Sequence, residues 1–276
     1  MFRQLQRRAV RRRPFPDAWL ATLRSQVAAY MQLGAAQQAE LQKRILVFIK
    51  EKTFEGCLGL EVSDTMRVVI AAQACLLELG RRPHYYPDGV SIFIYPSAFV
   101  STLTETLPGG MVARREVVRI GEAWRRGSVV LAWDATLQQS CGLLPGHSVY
   151  AHNAYAHNVT LHEFAHKLDG EDGSVDGVPD LGGLDGLGPN RQAAHATWAQ
   201  VMSRAYRELV RQVQAGELSA LDPYGATNPA EFFAVATETF FASPLTLKHT
   251  EPDLYKVLSG FYGQDPANWP APERRR

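Results

Sequence analysis

Cysteine is scarce, charge is balanced and no long apolar run is present. Cys57, Cys75 and Cys141 are the three cysteines of a 276-residue chain. They are odd in number and not closely paired, which excludes a disulfide framework and a cysteine-based zinc site. A reducing, cytoplasmic setting is therefore expected. The formal net charge of +1 gives no bulk reason to expect nucleic acid, an anionic membrane or an acidic substrate. The most apolar stretch, VVIAAQACLLELG at 68–80, is interrupted by Gln73 and Glu78. It falls short of the ~20 residues a membrane helix needs, and so predicts a buried helix. The arginine-rich start is followed by prolines, Asp17 and Arg24, so no secretory signal is expected.

The composition that remains, 46% hydrophobic and 21% charged, is that of a globular protein able to bury a substantial core. Arg3, Arg7, Arg8, Arg11, Arg12 and Arg13 crowd the beginning and Arg274, Arg275 and Arg276 the end. Both ends read as solvated tails, 1–16 and 266–276, around a single domain over 17–265. Within that domain the spacing of apolar residues predicts helices over 16–33, 38–52 and 63–80. Three short β-branched or aromatic runs follow, VSIFIYP, REVVRIGEA and GSVVLAWD, and predict strands of a small sheet. Helix resumes behind Asn158, then over 191–214, over 229–242 behind Thr-Asn-Pro, and near 251–262. Helices, a small sheet, then helices make an α+β arrangement.

The chemistry concentrates at TLHEFAHKLD, residues 160–169. Residues four apart on a helix share a face, so His162 and His166 can aim their imidazoles at one point, as zinc requires. Glu163 then stands beside the metal, where a carboxylate can deprotonate an activated water. The motif arises by chance in roughly one chain in a hundred, and two histidines on an ordinary helix are the alternative. A catalytic zinc needs a third protein ligand, and several residues compete. Asp172 lies six residues past His166, but Asp169 occupies the position where a short-spaced zinc peptidase has glycine. Glu231 lies 65 residues past His166, yet Asn228, Pro229 and Glu231 also read as N-cap, N1 and N3 of a capping box. Glu238, two turns on, is a fallback ligand or a partner for one. Tyr224, in the turn DPYG, has a phenol that could donate to an oxyanion. The Asp/Gly-rich loop 170–190 reads as a flap that gates the site. Its calcium-loop frame, Asp172, Ser174, Asp176 and Gly177, ends on Gly183 instead of glutamate.

FEGCLGLEVSDTMRVVIAAQACLLELG, IYPSAF, WDATLQQS, HNVTLHEFAHKLDG and DPYGATNPAEFFAVATETFF together resemble the Mlc titration factor A family of bacterial zinc-dependent peptidases. The likeness spans roughly 50–265. It implies a zincin-like metallopeptidase domain similar to that of anthrax lethal factor, with an active-site helix and preceding N-terminal helices. By that resemblance His162, His166 and Glu231 hold Zn2+, Glu163 is the general base and Tyr224 stabilises the oxyanion. It also implies aminopeptidase-like activity on small substrates and a transcriptional repressor of sugar uptake as protein partner. The expected reaction is hydrolysis of peptide or protein, with substrate pairing on a strand edge at 129–132. Membrane and nucleic acid are not expected partners. The rival reading is a binding module that sequesters a regulatory protein.

Overall fold

Three arginines at positions 3, 7 and 11 share one face of a helix, and that spacing decides the fate of the N-terminus. The computed structural model describes residues 2–82, 84–86, 89–106, 112–124, 127–141, 158–181 and 190–270. In it Phe2–Arg11 form helix α1 rather than a solvated tail. Arg3 and Arg7 both donate to the Glu51 carboxylate, at 2.7 Å, while Arg11 reaches Glu40 and the Tyr85 hydroxyl. Val10 is buried against Val47 and Tyr85. Burial alone would raise the Glu51 carboxyl, but Arg7 and Arg3 hold it down at about 2. Arg3, Arg7 and Arg11 are thus engaged with carboxylates of the chain's own helices.

Behind α1 come α2 (Asp17–Gln26), α3 (Ala28–Gln32), α4 (Ala35–Glu51), strand β1 (Thr53–Gly56) and α5 (Asp64–Glu78). Strands β2 (Ser91–Tyr95), β3 (Phe99–Thr106), β4 (Val112–Arg119), β5 (Gly121–Ala123) and β6 (Val129–Ala132) lead into α6 (Trp133–Ser140) and α7 (Val159–Asp169). The chain continues through α8 (Arg191–Ala215), α9 (Pro229–Ala242), α10 (Pro244–Thr250) and α11 (Pro252–Tyr262). The protein is mixed helix and sheet, with a small mixed sheet ordered β1-β2-β6-β5 and a separate β3–β4 ribbon.

In that sheet β1, β2 and β6 run parallel and β5 closes one side antiparallel to β6, with Gly121 opposite Leu131. The segment 129–132 is therefore an interior strand, not the substrate-pairing edge expected of it. All of Val129–Ala132 are buried, the mark of a strand covered on both faces. The edges are β1 and β5, and β5 packs on α7.

Helix α5, capped by the Ser63 hydroxyl at 3.3 Å, is buried over nearly its whole length. Phe48 of α4, Tyr86 and Phe164 of α7 meet edge to face with ring centroids 4.9 to 6.1 Å apart. Such a buried aromatic costs ~3–5 kcal/mol to truncate, so the back of α7 is firmly seated. The continuous core extends from Leu23 to Tyr262. At the C-terminal end Pro266 is buried and Trp269 packs 6.1 Å from Phe241; residues 271–276 lie outside the described residues. No helix among the described residues is long and apolar enough to cross a membrane.

Candidate metal centre

Helix α7 starts where Asn158 Oδ1 accepts the Leu161 N–H at 3.0 Å, a cap worth ~1 kcal/mol. Leu161, Phe164, Ala165 and Leu168 bury one side of it. His162, Glu163 and His166 line a cleft on the other. The two Nε2 atoms stand 3.2 Å apart.

Helix α9 supplies the third donor. Asn228 caps it, its Oδ1 accepting the Glu231 N–H at 3.0 Å, and Pro229 occupies the first turn. The Glu231 carboxylate does not complete a capping box; its Oε2 lies 3.0 Å from His162 Nε2 and 3.3 Å from His166 Nε2. Two donors held ~2.0–2.1 Å from a tetrahedral zinc stand ~3.3 Å apart, so the three spacings fit that ion. Among the described residues these three form the one group of histidine and carboxylate donors converging within 4.8 Å. Burial works to raise the Glu231 carboxyl, but the two imidazoles overcome it and hold the group well below the usual carboxylate range.

Asp172 is not brought into this group. Its Oδ1 accepts the backbone N–H and hydroxyl of Ser174, both at 3.0 Å, and Asp176 likewise caps Val178; the calcium frame is spent on local turns. Residues 170–181 are braced rather than free. The Asp169 carboxylate accepts the Gly177 N–H at 2.9 and 3.0 Å, and Trp198 Nε1 donates to Gly177 O at 3.1 Å. Gly177 has φ +83°, and a Cβ there would sit 2.4 Å from Pro229 O, so glycine lets this loop close on the first turn of α9. The remainder of the expected flap, 182–189, lies outside the described residues.

Glu238 takes the supporting role. Its Oε1 accepts from His162 Nδ1 at 2.6 Å and its Oε2 from the Asn158 N–H at 2.6 Å. One buried carboxylate thus fixes the ring orientation of His162 and ties α9 to the start of α7. Burial disfavours the imidazolium, but Glu238 and Glu231 raise the His162 pKa well above its ordinary value.

Glu163 is buried, and that burial, reinforced by Glu231 and Glu238, pushes its carboxyl up to about 7. Its side chain lies against Gly121 of β5, a glycine whose role its sequence context does not reveal. A Cβ on Gly121 would lie 2.5 Å from Glu163 Oε1 and 2.3 Å from Val159 Cγ2, so β5 approaches α7 as only glycine allows. We expect Gly121→Ala to fold, at a cost of ~1–3 kcal/mol from overpacking, with the Glu163 carboxylate displaced; a crystal structure of the variant with that carboxylate unmoved would show that this contact does not place Glu163.

Tyr224 sits in a single 3₁₀ turn, Pro223–Ala226, pinned by Asp222 Oδ1 accepting its N–H at 2.7 Å. Its half-exposed ring lies 6.0 Å from that of His162, and partial burial with Glu231 nearby pushes the phenol up to about 12. It stays a proton donor at neutral pH. The cleft has two lobes. One, of about 600 Å³, contains His162, Glu163, Tyr224, Glu231 and the β4–β5 segment from Val117 to Ala123. The other, of about 460 Å³, runs past Trp124, Lys167 and Pro229. Edge strand β5 borders the first, and Ala123 borders both.

The sequence profile of the family described as glucose-regulated metallo-peptidase M90 matches residues 2–263. An uncharacterised protein of Synechocystis is 38% identical over 92% of this chain and 86% of its own length. The Mlc titration factor A of Klebsiella pneumoniae strain 342 is 33% identical over 90% of this chain and 86% of its own length. That of Serratia proteamaculans is 32% identical over 85% and 84%. With a family match across nearly its whole length, and with the converging histidines and glutamate in place, the chain belongs to the glucose-regulated metallo-peptidase M90 family, alongside proteins named Mlc titration factor A.

Proposed function

We propose that the protein is a zinc-dependent peptidase of zincin-like fold, with His162, His166 and Glu231 as the metal ligands. The observation that carries this reading is the convergence of three donors from two helices at spacings suited to tetrahedral zinc. When bound there, zinc supplies Lewis acidity, polarising a carbonyl and making water more acidic.

The chain's own groups do the rest. Glu163, held against β5, takes a proton from the attacking water onto its carboxylate and passes it to the leaving nitrogen. Tyr224 keeps its phenolic proton and donates a hydrogen bond to the developing oxyanion. Glu238 holds His162 in the tautomer that leaves Nε2 free as a donor atom. The backbone of β5 pairs with extended substrate, replacing 129–132 in that role. We place the activity in the cytoplasm, on small peptide substrates with aminopeptidase-like cleavage.

A second reading follows from the resemblance to Mlc titration factor A proteins: a protein surface that engages a transcriptional repressor, with hydrolysis secondary. Chelation separates the two. Removing the metal with 1,10-phenanthroline should abolish hydrolysis of small peptide substrates, and adding back zinc should restore it. Hydrolysis that survives complete metal removal would end the metallopeptidase reading.

A further inference from the structure

The lobe of the cleft that contains Glu163 and Tyr224 is lined by Glu122, Glu163, Asp222, Glu231 and Glu238, and by a single arginine or lysine among its described residues, Arg119. Arg119 is the last residue of β4, paired with Phe99, and Gly121 opens β5 two residues later. Its charge is felt by both Glu163 and Tyr224. Its Nε is nevertheless buried without a hydrogen-bond partner. An unmet buried donor is unfavourable. Arg119 itself lies on the wall of the cleft, its side chain is not committed through Nε to the protein, and the planar fork of donors on a guanidinium matches a carboxylate two-to-two.

The strand geometry says which end of the substrate brings that carboxylate. An extended peptide added antiparallel to β5 has its amino side toward Trp124 and its carboxyl side toward Gly121 and Arg119. Val117 and the exposed Val118 flank Arg119 on the same wall, giving apolar surface beside the charge. We propose that Arg119 is a specificity-determining residue that binds a substrate carboxylate on the carboxyl side of the scissile bond. The carboxylate is either the terminal group of a short peptide or an acidic side chain. This rests on the peptidase reading above, because it takes β5 as the edge that receives the substrate.

The test measures binding apart from turnover. Zinc-loaded Glu163→Gln protein is titrated calorimetrically with matched short peptides: free acid against C-terminal amide, and glutamate against glutamine after the scissile position. At least ~10-fold tighter binding of a carboxylate form is expected, since hydrogen bonds to charged groups are worth ~1.5–3 kcal/mol. Adding Arg119→Gln should erase that difference while amide binding stays the same, and Arg119→Lys should keep part of it. A preference between acid and amide identifies the terminal carboxylate, and one between glutamate and glutamine identifies a side chain. Equal binding within every pair, or a loss on Arg119→Gln that affects amides as much as acids, overturns the assignment. If wild-type protein hydrolyses the peptides without preference, the inference falls and the peptidase reading stands. If the Arg119-dependent preference is present and no peptide is cleaved, the peptidase reading falls and carboxylate recognition stands.

Discussion

Replacing Glu163 with glutamine should lower peptide hydrolysis by about 10²–10⁴-fold, the range for loss of a positioned general base, with metal content unchanged. The substitution keeps the shape that Gly121 accommodates, where a Cβ on that glycine would come within 2.5 Å of Glu163 Oε1, so the helix should not move. It removes only the ability to accept a proton. Glu163 is also absent from the three-donor group, which is why zinc should remain. The measurement is kcat/KM on a peptide substrate alongside elemental analysis of the same preparation. Near-wild-type turnover would refute the assigned base, whereas loss of both activity and zinc would mean that Glu163 supports the metal site. The same variant addresses the binding reading, since a protein that no longer cleaves but still alters repressor-controlled transcription acts through its surface.

Much of this site was legible because its signals are local. Asn-Pro-x-Glu predicts a helix over 229–242, and the structure has α9 at Pro229–Ala242. The helix expected behind Asn158 is α7 at Val159–Asp169. What was not legible depends on partners distant in sequence. Glu231 is both the third residue of a helix and a neighbour of two imidazoles, and helix rules cannot choose between cap and ligand; the second neighbourhood exists only once α9 packs on α7. The arginines of α1 read as a solvated tail because Glu51 lies 44 and 48 residues away from Arg7 and Arg3. The segment 129–132 could not be recognised as interior from its own four residues, since the short and weakly apolar Gly-Glu-Ala of β5 gives little hint that it forms an edge. Gly121 carries one faint signal, a glycine inside a strand-like run, which marks close backbone approach without saying to what.

Glu231→Gln should lose zinc outright. The substitution replaces the one anionic donor, which lies 3.0 and 3.3 Å from the two Nε2 atoms, by a neutral amide. His162 and His166 are then left as a two-point site, while a catalytic zinc site needs three protein ligands. Elemental analysis after gel filtration should fall from about one zinc per chain to a small fraction of that, and hydrolysis should fall with it. Two companion variants give the result its meaning. Glu238→Gln leaves the donor set intact but weakens the carboxylate that orients His162 at 2.6 Å, so affinity should drop only ~10–100-fold and high zinc should restore activity. Asp172→Asn touches a carboxylate already engaged with Ser174 and should bind zinc as the wild type does. That order, with 231 most severe, 238 intermediate and 172 silent, follows from ligand, support and bystander positions. Zinc retained in Glu231→Gln but lost in Asp172→Asn would reverse the assignment and place the third ligand in the loop after α7.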